Sequence, residues 1–304
     1  MLLSVVTVTH NSAGVLPTFL EGLGELAPES VEIIVVDSGS ADLPQVERAV
    51  ERVGGVLVAA PDNVGYGFGS NLGARLASGT WVAFVNPDVT VSAGDLLRLV
   101  EVARSHGLSV VGPTLRNAVG EAPPSARPLI EPLWRRPSWE FPEDGSVVLA
   151  PSMSGCCMVV RADRFREIGG FDPRYFMFAE ETDLHLRLRE SGDAVGVSRE
   201  IVAYTEGGGS SEGVTSSWAV VQRCVSRVVY SFTNLSVPAG IVDLGWRVLQ
   251  LLSGRDAPRR AALSQFSREL LRTRRLARRD PETYVRTVRV QDHRPTSGTT
   301  QAAG

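Results

Sequence analysis

Lysine is absent from this chain: all 31 of its basic residues are arginine. A Walker A phosphate loop, which needs a lysine after its glycines, is therefore excluded. We read the all-arginine usage as a bias of genome composition and attach no chemistry to it. Cysteine is scarce, at three residues. Cys156, Cys157 and Cys224 have no metal-ligand spacing, and the adjacent pair is too strained for a structural disulfide. A reducing, cytoplasmic setting is expected. The four histidines (His10, His106, His185, His293) form neither a metal nor a triad spacing and read as surface or capping residues, and no G-x-S-x-G elbow occurs. Long apolar runs are also missing. The apolar start, Met1 to Thr9, is short, lacks a basic leader and runs into His10-Asn11-Ser12, so it reads as a buried strand and not a signal peptide. The most apolar late stretch, Val237 to Leu252, is interrupted by Asp243 and Arg247 and falls short of a span.

What is present is alternation. Short apolar runs (Leu2 to Val8, Val31 to Val36, Gly55 to Ala59, Trp81 to Val85, Leu108 to Gly112) are separated by helix-period segments at Ala13 to Leu26, Pro44 to Val53, Gly69 to Ala77 and Ala93 to His106. That pattern predicts βαβ units, an α/β fold with a mainly parallel sheet flanked by helices. Polar or glycine-rich turns end the first four runs, and in such a sheet they converge on one crevice at the strands' carboxyl ends. From Arg116 to Gly145 the chain reads as a long surface excursion. A strand is expected over Ser152 to Arg161, then a turn at Gly169-Gly170-Phe171-Asp172 and a helix beginning near Glu180. Helices are expected over Ser216 to Asn234, Ile241 to Leu252 and Arg259 to Arg278. The expected division is a catalytic domain over 1–215, a helical region over 216–290 and a disordered tail over 291–304.

Read alone, each turn is modest evidence. Thr9-His10-Asn11-Ser12 suits a helix cap. Asp37-Ser38-Gly39-Ser40 does too, although its Asp is also placed to accept from a nucleobase or ribose. Asn63-Val64-Gly65-Tyr66-Gly67-Phe68-Gly69-Ser70-Asn71 opens a helix with bare N–H groups that favour a phosphate. Its spacing is not G-x-G-x-x-G and it follows the third strand, which argues against a dinucleotide dehydrogenase. Asn86-Pro87-Asp88 fixes a carboxylate just past a wholly apolar strand, where a hard cation on phosphate oxygens would need it. Glu180-Glu181-Thr182-Asp183 places three acids at a helix start behind the aromatic run Tyr175 to Ala179, and partial burial would raise a pKa toward that of a working base.

Taken in order over about residues 1 to 212, these motifs, with Ser154-Gly155-Cys156-Cys157 and the glycine loop Gly207 to Ser211, resemble the family-2 glycosyltransferases, and most closely their rhamnosyltransferase-like branch. The resemblance implies a GT-A fold with a C-terminal helical extension. It implies donor contacts from Thr9, His10, Asn11, Asp37, Ser38, Gly39, Asn63, Gly65, Gly67, Asn71 and Asn86. Asn86 and Asp88 stand where the family keeps its metal-binding Asp-x-Asp, here with Asn first. Glu181 stands at the second place of the family's acidic pair, as base, with Glu180 and Asp183 beside it. The family's histidine before the glycine loop is replaced by Tyr204-Thr205-Glu206. Thr205 aligns best, and Glu206 is the adjacent carboxylate that would stand in as metal ligand.

The implied activity is inverting, metal-dependent transfer (Mg or Mn) of rhamnose or another hexose from a dTDP- or UDP-sugar to a hydroxyl on a glycan, a lipid-linked carrier or a natural product, as in cell-wall or polysaccharide synthesis. A nucleotidyltransferase and a non-catalytic sugar-nucleotide or glycan-binding relative are the alternatives. No nucleic-acid partner is implied, and the oligomeric state stays open. The apolar stretch Ala219 to Phe232, followed by Arg259, Arg260, Arg268, Arg272, Arg274, Arg275, Arg278 and Arg279, reads as a peripheral contact with the inner face of the plasma membrane, the alternative being a solvated helical bundle packed on the catalytic domain.

Overall fold

The computed structural model describes residues 2–23, 30–117, 125–136, 139, 145–205, 217–253 and 259–294. The N-terminal half alternates as its periodicity predicts: β1 (Leu3–Thr9), α1 (Leu16–Gly22), β2 (Val31–Ser38), α2 (Leu43–Arg52), β3 (Val56–Ala60), α3 (Tyr66–Leu76), β4 (Trp81–Val85), β5 (Val89–Thr90), α4 (Ala93–His106) and β6 (Val110–Arg116). Then follow β7 (Ala126–Arg127), β8 (Val147–Leu149), β9 (Ser152–Met153), β10 (Cys157–Arg161), α5 (Ala162–Glu167), α6 (Glu180–Glu190) and β11 (Val195–Thr205). The chain ends with α7 (Ser217–Tyr230), a π-helical turn (Ser231–Leu235), α8 (Val237–Ser253), α9 (Arg259–Leu276), α10 (Pro281–Val285) and β12 (Arg289–Asp292).

Ten strands form one sheet in the order β12-β3-β2-β1-β4-β10-β6-β11-β5, with β8 beside β11. The run β3-β2-β1-β4 is parallel, as its helical crossovers require. Beyond it β10 is antiparallel to both β4 and β6, so the whole sheet is mixed. Alternate residues of β1 and β2 feed two cores. Leu3, Val5, Ile33 and Val35 pack under α1, α2 and α4, whereas Val6, Ile34 and Val36 pack under α3 and the Phe84–Phe165–Phe171 aromatic group.

Several boundaries differ from expectation. The strand read over Ser152 to Arg161 is two strands, broken at Ser154-Gly155-Cys156. The excursion from Arg116 comes back to the fold as β7, which pairs with β9. The residues expected to begin a tail form β12, antiparallel to β3, and Arg294 reaches the buried Glu32 at 2.8 Å. Residues 295–304 and the Gly207 to Ser211 loop lie outside the described residues. The apolar stretch of α7 is not a surface: Ala219, Val221, Cys224, Val225, Val228 and Val229 are buried in a third core with α8 and α9. Among the described residues no helix is long and apolar enough to cross a membrane.

Candidate active site

The carboxyl ends of β1, β2 and β3 make the first part of the site. Thr9 and Asp37 are register partners in parallel strands, so their side chains share one face. Asp37 Oδ1 accepts the Ser40 N–H at 3.0 Å, while Asp37 Oδ2 and Thr9 Oγ1 are buried with no partner. Burial pushes the Asp37 carboxyl above its ordinary value. Around them the turns are stitched together. His10 Nδ1–H donates to the Ser38 carbonyl at 2.7 Å, a direction fixed by the carbonyl's being only an acceptor. Asn11, held at φ 52°, accepts from Ala41 N–H and donates its own N–H to Ser40 Oγ. Ser38 Oγ donates to Asn63 Oδ1 and accepts from Val64 N–H. Gly39 takes φ 68° with the Asp62 backbone where a Cβ would stand.

The glycine-rich loop closes against the aromatic run. Asn63 Oδ1 accepts from Gly65 N–H at 3.0 Å, and Tyr66 N–H donates to the Phe176 carbonyl at 3.0 Å. Gly67 packs beside Glu180. Asn71, expected among the donor contacts, is spent elsewhere: its amide donates to the Phe171 carbonyl at 2.7 Å and accepts from Phe171 N–H at 2.9 Å, leaving it buried as the pin of the Gly170–Phe171 turn.

The second part lies at the end of β4. The Val89 N–H donates to the Asn86 carbonyl, closing a tight turn with Pro87 at its second position and delivering Asp88 to the sheet's rim. Asp88 Oδ1 is buried and unpartnered. An orphaned carboxylate oxygen costs about 1–3 kcal/mol or more, and it suits a hard divalent cation shared with phosphate oxygens. Among the described residues no three His, Cys, Asp or Glu side chains gather as a metal cage. Thr205 is the cross-strand neighbour of Val89, one residue from Asp88, while Glu206 lies outside the described residues.

The third part is the start of α6. Phe178 and Ala179 both take left-handed backbone, φ 71° and 64°, which costs non-glycine residues about 1–3 kcal/mol each. Ser226 Oγ of α7 holds the Met177 carbonyl at 2.7 Å and the Arg223 guanidinium sits 4.8 Å over the Phe178 ring. The turn brings Glu181 against Gly155 at the strand break and Glu180 against Gly67. Burial first, then the adjacent Glu181 charge, drives the Glu180 carboxyl well above its ordinary value; burial raises Glu181 too, against the pull of Arg127 at 3.6 Å. Asp183, expected beside them as a catalytic acid, faces the other way. It is ion-paired to Arg187 at 2.7 Å and accepts from Asn234 at 2.8 Å, tying α6 to the C-terminal helices.

The break at Ser154-Gly155-Cys156 joins the second and third parts. The Cys156 carbonyl accepts from Asn86 N–H at 2.8 Å, the Gly155 carbonyl from Tyr66 OH at 2.8 Å, and Gly155 packs on the Glu181 side chain. The Cys156 thiol lies within electrostatic reach of Asp88, Arg127 and Glu181, and burial raises its pKa. The Asp88 and Glu181 carboxylates thus both lie near one short backbone segment. Sequence reading missed Arg127, hidden in a stretch without periodicity, and Tyr66, a ring in a glycine loop. His185, read as a surface or capping residue, is buried behind Glu181 with its pKa lowered to about 3 by burial and then Arg127.

The chain is similar to known proteins of one family. Residues 4–169 match the family described as Glycosyl transferase family 2. The chain is 33% identical over 222 residues to the N-acetylglucosaminyl-diphospho-decaprenol L-rhamnosyltransferase of Mycobacterium tuberculosis, covering 63% of this chain and 71% of that one. Two solved structures share the fold at low identity. The mannosyltransferase PcManGT from Pyrobaculum calidifontis, in complex with GDP-Man and Mn2+, superposes with TM-score 0.55 at 15% identity over 93% of this chain and 84% of its own. S. aureus TarS 1-349 in complex with UDP gives 0.52 at 16% identity over 94% and 89%. The match favours sugar transfer over the nucleotidyl-transfer reading. With residues 4–169, more than half its length, matching one family, the chain belongs to the family-2 glycosyltransferases.

Proposed function

We propose that this enzyme transfers a deoxyhexose such as rhamnose, or another hexose, from a nucleoside diphosphate to a hydroxyl of a polyprenyl-diphosphate-linked sugar, with inversion, at the cytoplasmic face of a membrane. Thr9 and Asp37, with the loops of His10, Asn11, Ser38, Gly39 and Asn63, hold the nucleoside, and Gly65 and Gly67 let the glycine loop approach the donor. Glu181 accepts the proton of the acceptor hydroxyl while that oxygen attacks the anomeric carbon and the bond to the diphosphate breaks, all in one displacement. Glu180, whose neutral form burial favours, shapes the same wall. Asp88, assisted by Asn86 and by Glu206, would hold a divalent cation, Mg or Mn, which when bound offsets the charge developing on the leaving diphosphate.

The observation that carries this reading is the placement of the raised Glu181 carboxyl and the orphaned Asp88 oxygen around Cys156. The Mycobacterium tuberculosis relative, named for a decaprenol-diphosphate acceptor, supports the choice of a lipid-linked hydroxyl. The test presents dTDP-, UDP- and GDP-sugars with a polyprenyl-diphosphate N-acetylglucosamine, with and without chelator. We expect one donor class to be consumed with metal present, and the product anomer to be opposite to the donor's. Full turnover in excess chelator would end the metal assignment, and retention of configuration would end direct displacement. Glu206→Gln should raise the metal concentration required; an unchanged requirement removes Glu206 from the ligand set.

A further inference from the structure

Among the described residues the outer face of α8 has no partner. Val237, Ile241, Val242, Trp246, Leu249 and Leu252 stand exposed along one side, with Ile241 60% and Trp246 54% accessible. The opposite side, through Asp243 and Leu251, packs on α7 and α9. An exposed apolar helix face of this extent marks an interaction surface. Beside it Leu133 and Trp134, the latter 63% exposed, complete an open groove of about 480 Å³ whose lining carries no charged side chain.

We propose that α8 and the Leu133–Trp134 turn form an in-plane docking surface for an anionic phospholipid bilayer. Two observations select lipid as the occupant. Trp134 and Trp246 put indole rings at the edge of the apolar face, where such rings settle at headgroup depth. Arg135 and Arg136 are exposed and follow Trp134 directly, and although Arg135 also lies 3.8 Å from Glu131, they give the rim a positive edge that anionic headgroups complement. At 17 residues, roughly 25 Å, the helix lies along a surface and does not cross it. The surface is joined to the reaction site by a short run of chain. The segment that ends at Trp134 begins at Arg127, the ion-pair partner of Glu181, and its Glu131 carbonyl is held by Arg227 of α7. Docking there places the base a short stretch of chain from the headgroups, which deepens the reading of a lipid-linked acceptor and rests on it for the acceptor alone.

The test is flotation of the full chain with vesicles of phosphatidylcholine, with and without phosphatidylglycerol, at low and high salt. We expect binding to the anionic vesicles, a loss of about tenfold or more in Ile241→Ser/Trp246→Ser, and in Arg135→Ala/Arg136→Ala a loss confined to the salt-sensitive part. Thermal melts confirm that these surface variants fold. Transfer to a vesicle-borne polyprenyl acceptor should fall in the serine variant while transfer to a short-chain, water-soluble acceptor stays unchanged. No flotation with either vesicle overturns the proposal. So does a wild-type dimer that the serine variant dissociates while flotation is kept, because the face would then be an interface between copies. Flotation without transfer to any polyprenyl acceptor would sustain the docking surface and refute the acceptor class.

Discussion

Arg272 of α9 lies 4.0 Å over the ring of Phe176 and donates to the carbonyl of Asn63 at 3.1 Å. One side chain from the C-terminal region therefore joins the glycine-rich loop to the aromatic run before α6. Nearby, Arg279 and Tyr284 grip Asp62. Because Arg272 holds the loop by backbone and by stacking, Arg272→Ala should weaken donor binding about tenfold with kcat little changed. Arg272→Lys should restore little, since an ammonium lacks the planar stack. Titration of donor with acceptor saturating checks this, and an unchanged donor KM refutes it.

The proposed base, Glu181, should set the pH dependence. Its carboxyl is raised in the folded enzyme, so the rising limb of kcat/KM should lie above the ordinary 4.5 of glutamate. Arg127 pulls against that shift, so Arg127→Gln should move the limb to still higher pH while the plateau survives. Glu181→Gln should lower kcat by about 10²–10⁴ with donor affinity kept. A limb that stays in place in Arg127→Gln would show that Arg127 does not act on the base.

Glu180 should trade stability against function. Its carboxyl is held well above the ordinary 4.5, so the folded state binds that proton more tightly than the unfolded chain does. That contribution is complete below the ordinary value and is lost as pH rises through the folded one. Glu180→Gln cannot ionise, so its gain in Tm over wild type should be small at about pH 4 and larger at about pH 8. Equal differences at both pH values would deny the shift.

Gly65 is a position where a single methyl group should unmake the site. At φ 85° with the Phe176 carbonyl oxygen 2.4 Å from where a Cβ would stand, Gly65→Ala must move backbone. We expect a loss of about 2–4 kcal/mol in chemical denaturation. Gly14→Ala, which meets nothing within 4 Å, is the control and should be nearly neutral.

How much of this was legible in the sequence follows from the range of the interactions. The β1 to α4 alternation is local, so apolar period and turn chemistry reveal it, and they deliver Thr9, Asp37, Asn63 and Asp88 to one edge. Asn71 and Asp183 looked functional because polar residues beside a motif share its spacing. Their partners, Phe171 and Asn234, are 100 and 51 positions away and leave no periodic trace. Arg127 was unreadable for the same reason. The apolar character of α7 and α8 was plain, but which of the two meets solvent depends on how they pack. Packing buries the one expected at the membrane and exposes the other.

β12 carries a consequence for anyone who shortens this protein. It pairs with Val56 to Ala59 of β3, a strand whose five residues are all apolar, and among the described residues no other strand covers that margin of the sheet. Cutting the chain before Arg289 would leave a bare row of backbone donors and acceptors beside Val56, Leu57 and Val58, a template for pairing with a second molecule. Such truncations should yield inclusion bodies or growing oligomers even where the catalytic residues are intact, and a low yield from them would report on an unguarded sheet margin and say nothing about the active site.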